Sequence, residues 1–316
     1  RREIAPGTEE EENEDDLIKT TDYLLMVGKY GEDVPTLEVH IFDDTQESLF
    51  IHHEILLPSF PLSIKWLDYE PGTGHEGSFA AISSMRPEIE IWNLNIEEPV
   101  CPAAVLQFHT NSVPGLSWNM HQRGVLLSAS IDQKAAVWSL QTSQVAAAFD
   151  VNGECKAAEW CLSPSNPTLF TVASTTGVYS YDARSGPAFA TLPEMSIESL
   201  VWSRDGNEIW TSLTTGQVAA VDIRNPTAGL TLFQAHTGPA NSLAYCMAKP
   251  VLATCGDDEL CKIWNIENPA EPKQIDEDNT KVGPMFTCMF SPDKPTLLAI
   301  GGHENGASLW DIANVI

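Results

Sequence analysis

Aromatic residues recur along this chain on two interleaved tracks, and their spacing leaves little freedom in what it can fold into. The first track closes a hydrophobic run at Phe42, Trp92, Trp138, Tyr181, Trp264 and Trp310, with Val221 as an apolar stand-in, each followed by Asp, Asn or Ser. The second falls between, at Trp66, Trp118, Trp160, Trp202, Tyr245 and Phe290. Steps along both tracks run from 40 to 52 residues, about the length of a four-stranded blade with its turns. Seven first-track positions therefore predict an all-β, seven-bladed β-propeller. Among the nine tryptophans only Trp210 stands outside the tracks. A closed ring also accounts for 316 residues as a single folded unit.

Period-two alternation between turn residues places the blades near 22–56, 61–108, 112–149, 154–192, 197–234, 239–276 and 283–316, after an acidic linker over 1–21. In the third blade, strands are expected near 113–119, 125–130, 135–140 and 145–149. In the sixth they are expected near 240–246, 251–255, 260–266 and 273–275. The pattern is short at both ends. The first blade starts at its second strand, near 23–28, and the last stops after its third. Unpaired strand edges template aggregation, so a segment N-terminal to Arg1 is expected to supply strand a of blade one and the outer strand of blade seven. The acidic run over 9–16 is then the returning linker.

The chain carries 44 acidic and 17 basic side chains, a formal net charge of -27. Such a field repels nucleic acid at long range and favours basic partners. Direct rRNA contact would need a local cluster of Lys and Arg, whereas the basic residues here are scattered. No apolar run approaches the roughly 20 residues of a membrane span, so no membrane partner is expected. Seven cysteines without a CxxC pair, most of them among apolar neighbours, read as small buried hydrophobes in a reducing compartment.

The repeat resembles the WD repeat family over essentially the whole chain. That resemblance implies a buried polar tetrad in well-formed blades. Matched residue by residue, it gives His109, Ser128, Asp132 and Trp138 in the third blade, and His236, Thr254, Asp258 and Trp264 in the sixth. A buried indole N–H needs an acceptor, a hydroxyl can relay to an imidazole, and an Asp in the turn orients that ring. A His beside an Asp also suggests a general base, but the Trp and hydroxyl at fixed strand spacing favour structure over catalysis. Blades four and five lack the His, and blade two has Pro87 and Glu88 in place of the Asp turn.

Four stretches, 22–44, 49–69, 87–96 and 283–315, resemble in order one nucleolar member of that family, a factor in assembly of the large ribosomal subunit. The resemblance implies a non-catalytic scaffold in the nucleus and nucleolus, a monomer within a larger assembly. It would hold rRNA segments through local patches, together with basic ribosomal proteins and assembly factors of the pre-60S particle. Propeller partners commonly use the face formed by the d-to-a and b-to-c loops. Here those loops present Arg86, Glu88, Thr110, Asn111, Gln133, Lys134, Glu154, Asp257, Glu259, His303 and Glu304. Two other readings share the fold: a substrate receptor of a cullin-4 ubiquitin ligase, with Arg184 and Arg224 as adaptor contacts in YDAR and VDIR, and a histone-binding chromatin factor. Both motifs lack the Trp of the receptor motif, which favours a structural role for the arginines.

No enzyme, cofactor or metal is expected. There is no GxSxG, HExxH or phosphate-cradling glycine loop. The one adjacent histidine pair, His52 and His53, is expected to point to opposite faces of a strand and so not to share a metal.

Overall fold

The computed structural model describes residues 23–30, 34–44, 48–192, 195–225, 230–304 and 306–316. The expected linker over 1–21 and its acidic run lie outside them. Every element among the described residues is a β-strand, 26 in all, arranged as seven antiparallel sheets of consecutive strands. The chain is a seven-bladed β-propeller.

Blade three shows the sequence logic. Its strands are Gly115–Trp118, Val125–Ser130, Lys134–Ser139 and Gln144–Asp150. The second strand packs against neighbouring blades on both sides and is buried along almost all its length, whereas the outer strand alternates exposed and half-buried residues. Blade six repeats the plan over Ala240–Tyr245, Val251–Gly256, Cys261–Asn265 and Lys273–Asp278. Its last strand runs three residues beyond expectation, through acidic positions that have no apolar alternation to mark them.

The third strand of blades three, four and six shifts register against the outer strand just before the first-track aromatic, at Val137/Trp138, Ser180/Tyr181 and Ile263/Trp264. A bulge there bends the edge of the blade and leaves the aromatic turned inward. Trp138 is 1% exposed.

Among the described residues blade one has three strands, Tyr23–Tyr30, Pro35–Asp43 and Ser48–Leu56, and blade seven three, Met285–Phe290, Leu297–Gly302 and Ala307–Asp311. Six buried apolar clusters seal six successive blade junctions, from one–two to six–seven. Among the described residues no such cluster joins blade seven to blade one. Lys294 of blade seven reaches across instead, with its ammonium 2.6 Å from Asp44 and 2.8 Å from Asp311.

The histidine pair departs from strand parity. Val39 pairs with His53 and His40 with Ile51, so a bulge drops His52 out of the ladder. The two rings meet at 76° with their Nδ1 atoms 2.8 Å apart, rather than on opposite faces. Burial and the neighbouring His52 hold His53 below the usual imidazole range. Among the described residues no group of three or more His, Cys, Asp or Glu is placed to hold a metal.

Candidate interaction face and the buried tetrads

In blade three His109 enters from the loop after the second blade, and its Nδ1 lies 3.1 Å from Asp132 Oδ2. Its Nε2 is 2.8 Å from Ser128 Oγ, and the Trp138 indole donates to that same oxygen at 2.8 Å. In blade six His236 Nδ1 lies 2.8 Å from Asp258 and its Nε2 2.8 Å from Thr254 Oγ1, which accepts the Trp264 indole at 3.0 Å. One proton arrangement satisfies each set: imidazole Nδ1–H to carboxylate, hydroxyl to Nε2, indole to hydroxyl. Both imidazole side chains are fully buried. Burial lowers the pKa of both histidines, outweighing the upward pull of Asp132 and Asp258. Neutral rings are what the proton arrangement needs.

Each tetrad also fixes a surface loop. Asp132 accepts the main-chain N–H of Thr110, and Asp258 that of Thr237. The following residues, Gln133 and Glu259, take φ of 66° and 62°, the left-handed conformation that lets a two-residue turn close. Gly256 is required beside His236, since a Cβ there would lie 2.5 Å from Pro239 O and 3.0 Å from the imidazole.

The loops on this face carry Arg86, Thr110, Asn111, Gln133, Lys134, Glu154, Asp257, Glu259, His303 and Glu304 exposed, with Glu88 half-buried. They ring one end of the propeller and do not converge on a single cleft. Lys134 pairs with Asp150 at 2.8 Å, and Asp257 accepts from Asn241 at 2.7 Å. Arg184 and Arg224 lie at the opposite end, after the third strands of blades four and five. Arg224 is bidentate on its own Asp222, at 2.9 and 2.6 Å, and that pairing holds Asp222 below the usual carboxylate range. The Arg184 main-chain N–H caps Asp182 at 2.8 Å.

One site feature escaped the aromatic spacing. Trp210, outside both tracks, is fully buried in the second strand of blade five, and its indole donates to Glu208 at 3.2 Å. Trp92 does the same to Glu90 at 3.0 Å. Both are Glu-Ile-Trp triplets, in which residues two apart share a strand face. Burial raises both carboxyl pKa values despite the indole donors.

The outer strand of blade five and the first three strands of blade six fall within a match to the family described as WD domain, G-beta repeat, over residues 229–265. With seven such sheets and that repeat, the chain is similar to the WD repeat proteins. Within that class it is similar to periodic tryptophan protein 1 and its homolog. Identity is 28% with the Drosophila melanogaster homolog over 99% of this chain and 72% of that protein, and 23% with the Saccharomyces cerevisiae protein over 96% and 65%. An uncharacterized WD repeat-containing protein of Schizosaccharomyces pombe is 30% identical over 96% of this chain, which spans 63% of its length. A shorter stretch, 47% of this chain and 29% of the relative, is 28% identical to the U3 small nucleolar RNA-associated protein 15 of Saccharomyces cerevisiae.

Proposed function

We propose that this propeller is a non-catalytic scaffold in ribosome biogenesis, acting within early assembly of the large subunit, the pre-60S stage, in the nucleolus. Similarity to periodic tryptophan protein 1 along nearly the whole chain carries the reading, and a relative named for association with a small nucleolar RNA supports it. The structure suits such work. Two tetrads hold loops of one face in fixed conformations, so a partner would meet preformed turns and little ordering entropy is lost on docking. The net charge of -27 favours basic ribosomal proteins and assembly factors, with rRNA held through local patches. Affinity purification from nuclear extract, followed by identification of bound RNA and protein, tests the reading. Large-subunit precursor RNA with assembly factors is the expected recovery, and absence of that precursor rejects it.

A further inference from the structure

On the propeller end opposite the tetrad loops, the first inter-strand loop of each blade leans on its neighbour, and the chain closes most of these junctions with its own groups. Between blades two and three, Arg123 donates to Asp68 at 2.7 Å with its guanidinium 5.6 Å from the Tyr69 ring centre. Between three and four, the Asn119 side chain donates to Pro167 O at 2.9 Å, and His121 to Leu162 O at 3.0 Å. Between four and five, Gly206 packs so tightly that a Cβ would lie 2.7 Å from Cys161 Sγ. Between six and seven, the Cys246 thiol reaches Pro295 O at 3.2 Å.

The junction between blades five and six is different. A cleft of about 410 Å³ opens there, lined by Arg204, Glu208, Tyr245, Lys249, Pro250 and Glu267 among others. Its aromatic wall is Tyr245, half-buried and packed against the apolar cluster that joins the two blades. Two carboxylates line it, half-buried Glu208 and exposed Glu267. Glu208 accepts from the Trp210 indole, and among the described residues neither carboxylate makes an ion pair. Asp205 and Asp222 add like charge to Glu208, and burial raises its carboxyl further. The one cation acting on it, Arg224, is committed to Asp222.

Like the Arg123 junction, the cleft sets an aromatic ring near a carboxylate, but here the ring belongs to the later blade and the space beside it is open. We propose that the cleft between blades five and six takes one arginine side chain from a partner protein, laid against Tyr245 with Glu208 and Glu267 as its counter-charges. A planar guanidinium fits this role better than an ammonium, since it stacks on a ring and bonds a carboxylate in the same pose. Exposed Arg204 and Lys249 at the mouth repel a polycationic run, so the occupant carries a single arginine with an acidic residue beside it. The proposal builds on the scaffold reading by naming what one partner presents.

The test uses the isolated chain, so its outcome is separate from recovery of any ribosomal precursor. The probe is an acetylated, amidated hexapeptide, Gly-Ser-Arg-Glu-Ser-Gly, followed by ligand-observed NMR with a citrulline version as control. Saturable binding is expected, weakened about fivefold or more by Glu267→Gln and by Glu208→Gln. Glu277→Gln, on the exposed outer strand of blade six, should leave it unchanged. Thermal unfolding verifies that each variant is folded, and exposed Glu267 serves if Glu208→Gln is not. Absence of saturable binding, equal binding of the citrulline peptide, or equal weakening by Glu277→Gln overturns the proposal. So does binding of oligouridylate in place of the peptide, which would make the cleft a nucleic-acid contact.

Discussion

Ser128 and Thr254 each sit between an indole and an imidazole, so one small hydroxyl satisfies two large buried rings. Ser128→Ala strands the Trp138 N–H without an acceptor and should cost about 1–3 kcal/mol, read as a lower midpoint in chemical denaturation. Thr254→Ser keeps the relay and loses one methyl, a cost of about 1 kcal/mol. The histidines add a pH signature. Their native pKa lies below the ordinary 6.5, so the folded state binds fewer protons than the unfolded one in that window. Their stabilising contribution is complete above 6.5 and is lost as pH falls through the native value. Denaturation midpoints at pH 7 and pH 5 should differ, and His109→Gln with His236→Gln should shrink the difference. Glu90 and Glu208 carry the opposite sign. With native pKa values raised above 4.5, their contribution is present below that value and is lost as pH rises through the native one. The spacing of His, hydroxyl, Asp and Trp could be read from the sequence because all four types recur at matching offsets in two blades. The arginine cleft could not be read that way: Glu208, Tyr245 and Glu267 come from two strand ends and a loop of two different blades, with no shared spacing.

At the scale of strands, side-chain parity served where ladders are regular and failed where they slip. His52 and His53 come together because a bulge removes one residue from the count, and nothing in the local sequence marks that slip. Trp66 belongs to the second aromatic track by position yet is 47% exposed. It lies on the inner strand of blade two, next to a blade with no inner strand of its own among the described residues. A close approach between strands was equally hidden. Gly115, on the inner strand of blade three, lies so near blade four that a Cβ would sit 2.9 Å from the Ala158 nitrogen and 3.1 Å from the Ala157 carbonyl carbon. Backbone cannot swing aside as a side chain can, so Gly115→Ala should destabilise by about 1–3 kcal/mol, measured by the same denaturation assay. The effect should be larger than for Gly186→Ala, where no atom lies within 4 Å of the new methyl and only backbone strain at φ 96° remains.

For the molecule as a whole, the count of blades was visible in the aromatic period. Among the described residues Tyr23–Tyr30 is paired along one edge only, and Trp66 on blade two and Phe286 and Met289 on blade seven are exposed apolar side chains. Lys294→Ala should loosen blade seven from blade one while leaving the other junctions sealed, visible as faster hydrogen exchange confined to those two blades.

Six sealed joints between seven blades amount, in thermodynamic terms, to a linear array bent until its ends touch. Such an array stores stability in nearest-neighbour terms, so a loss at one joint is felt by two blades and not by all seven. Among the described residues its terminal units, blades one and seven, each share a buried apolar cluster with one neighbour only, and they should fray first on heating. The interior run from blade two to blade six should melt later as a cooperative block.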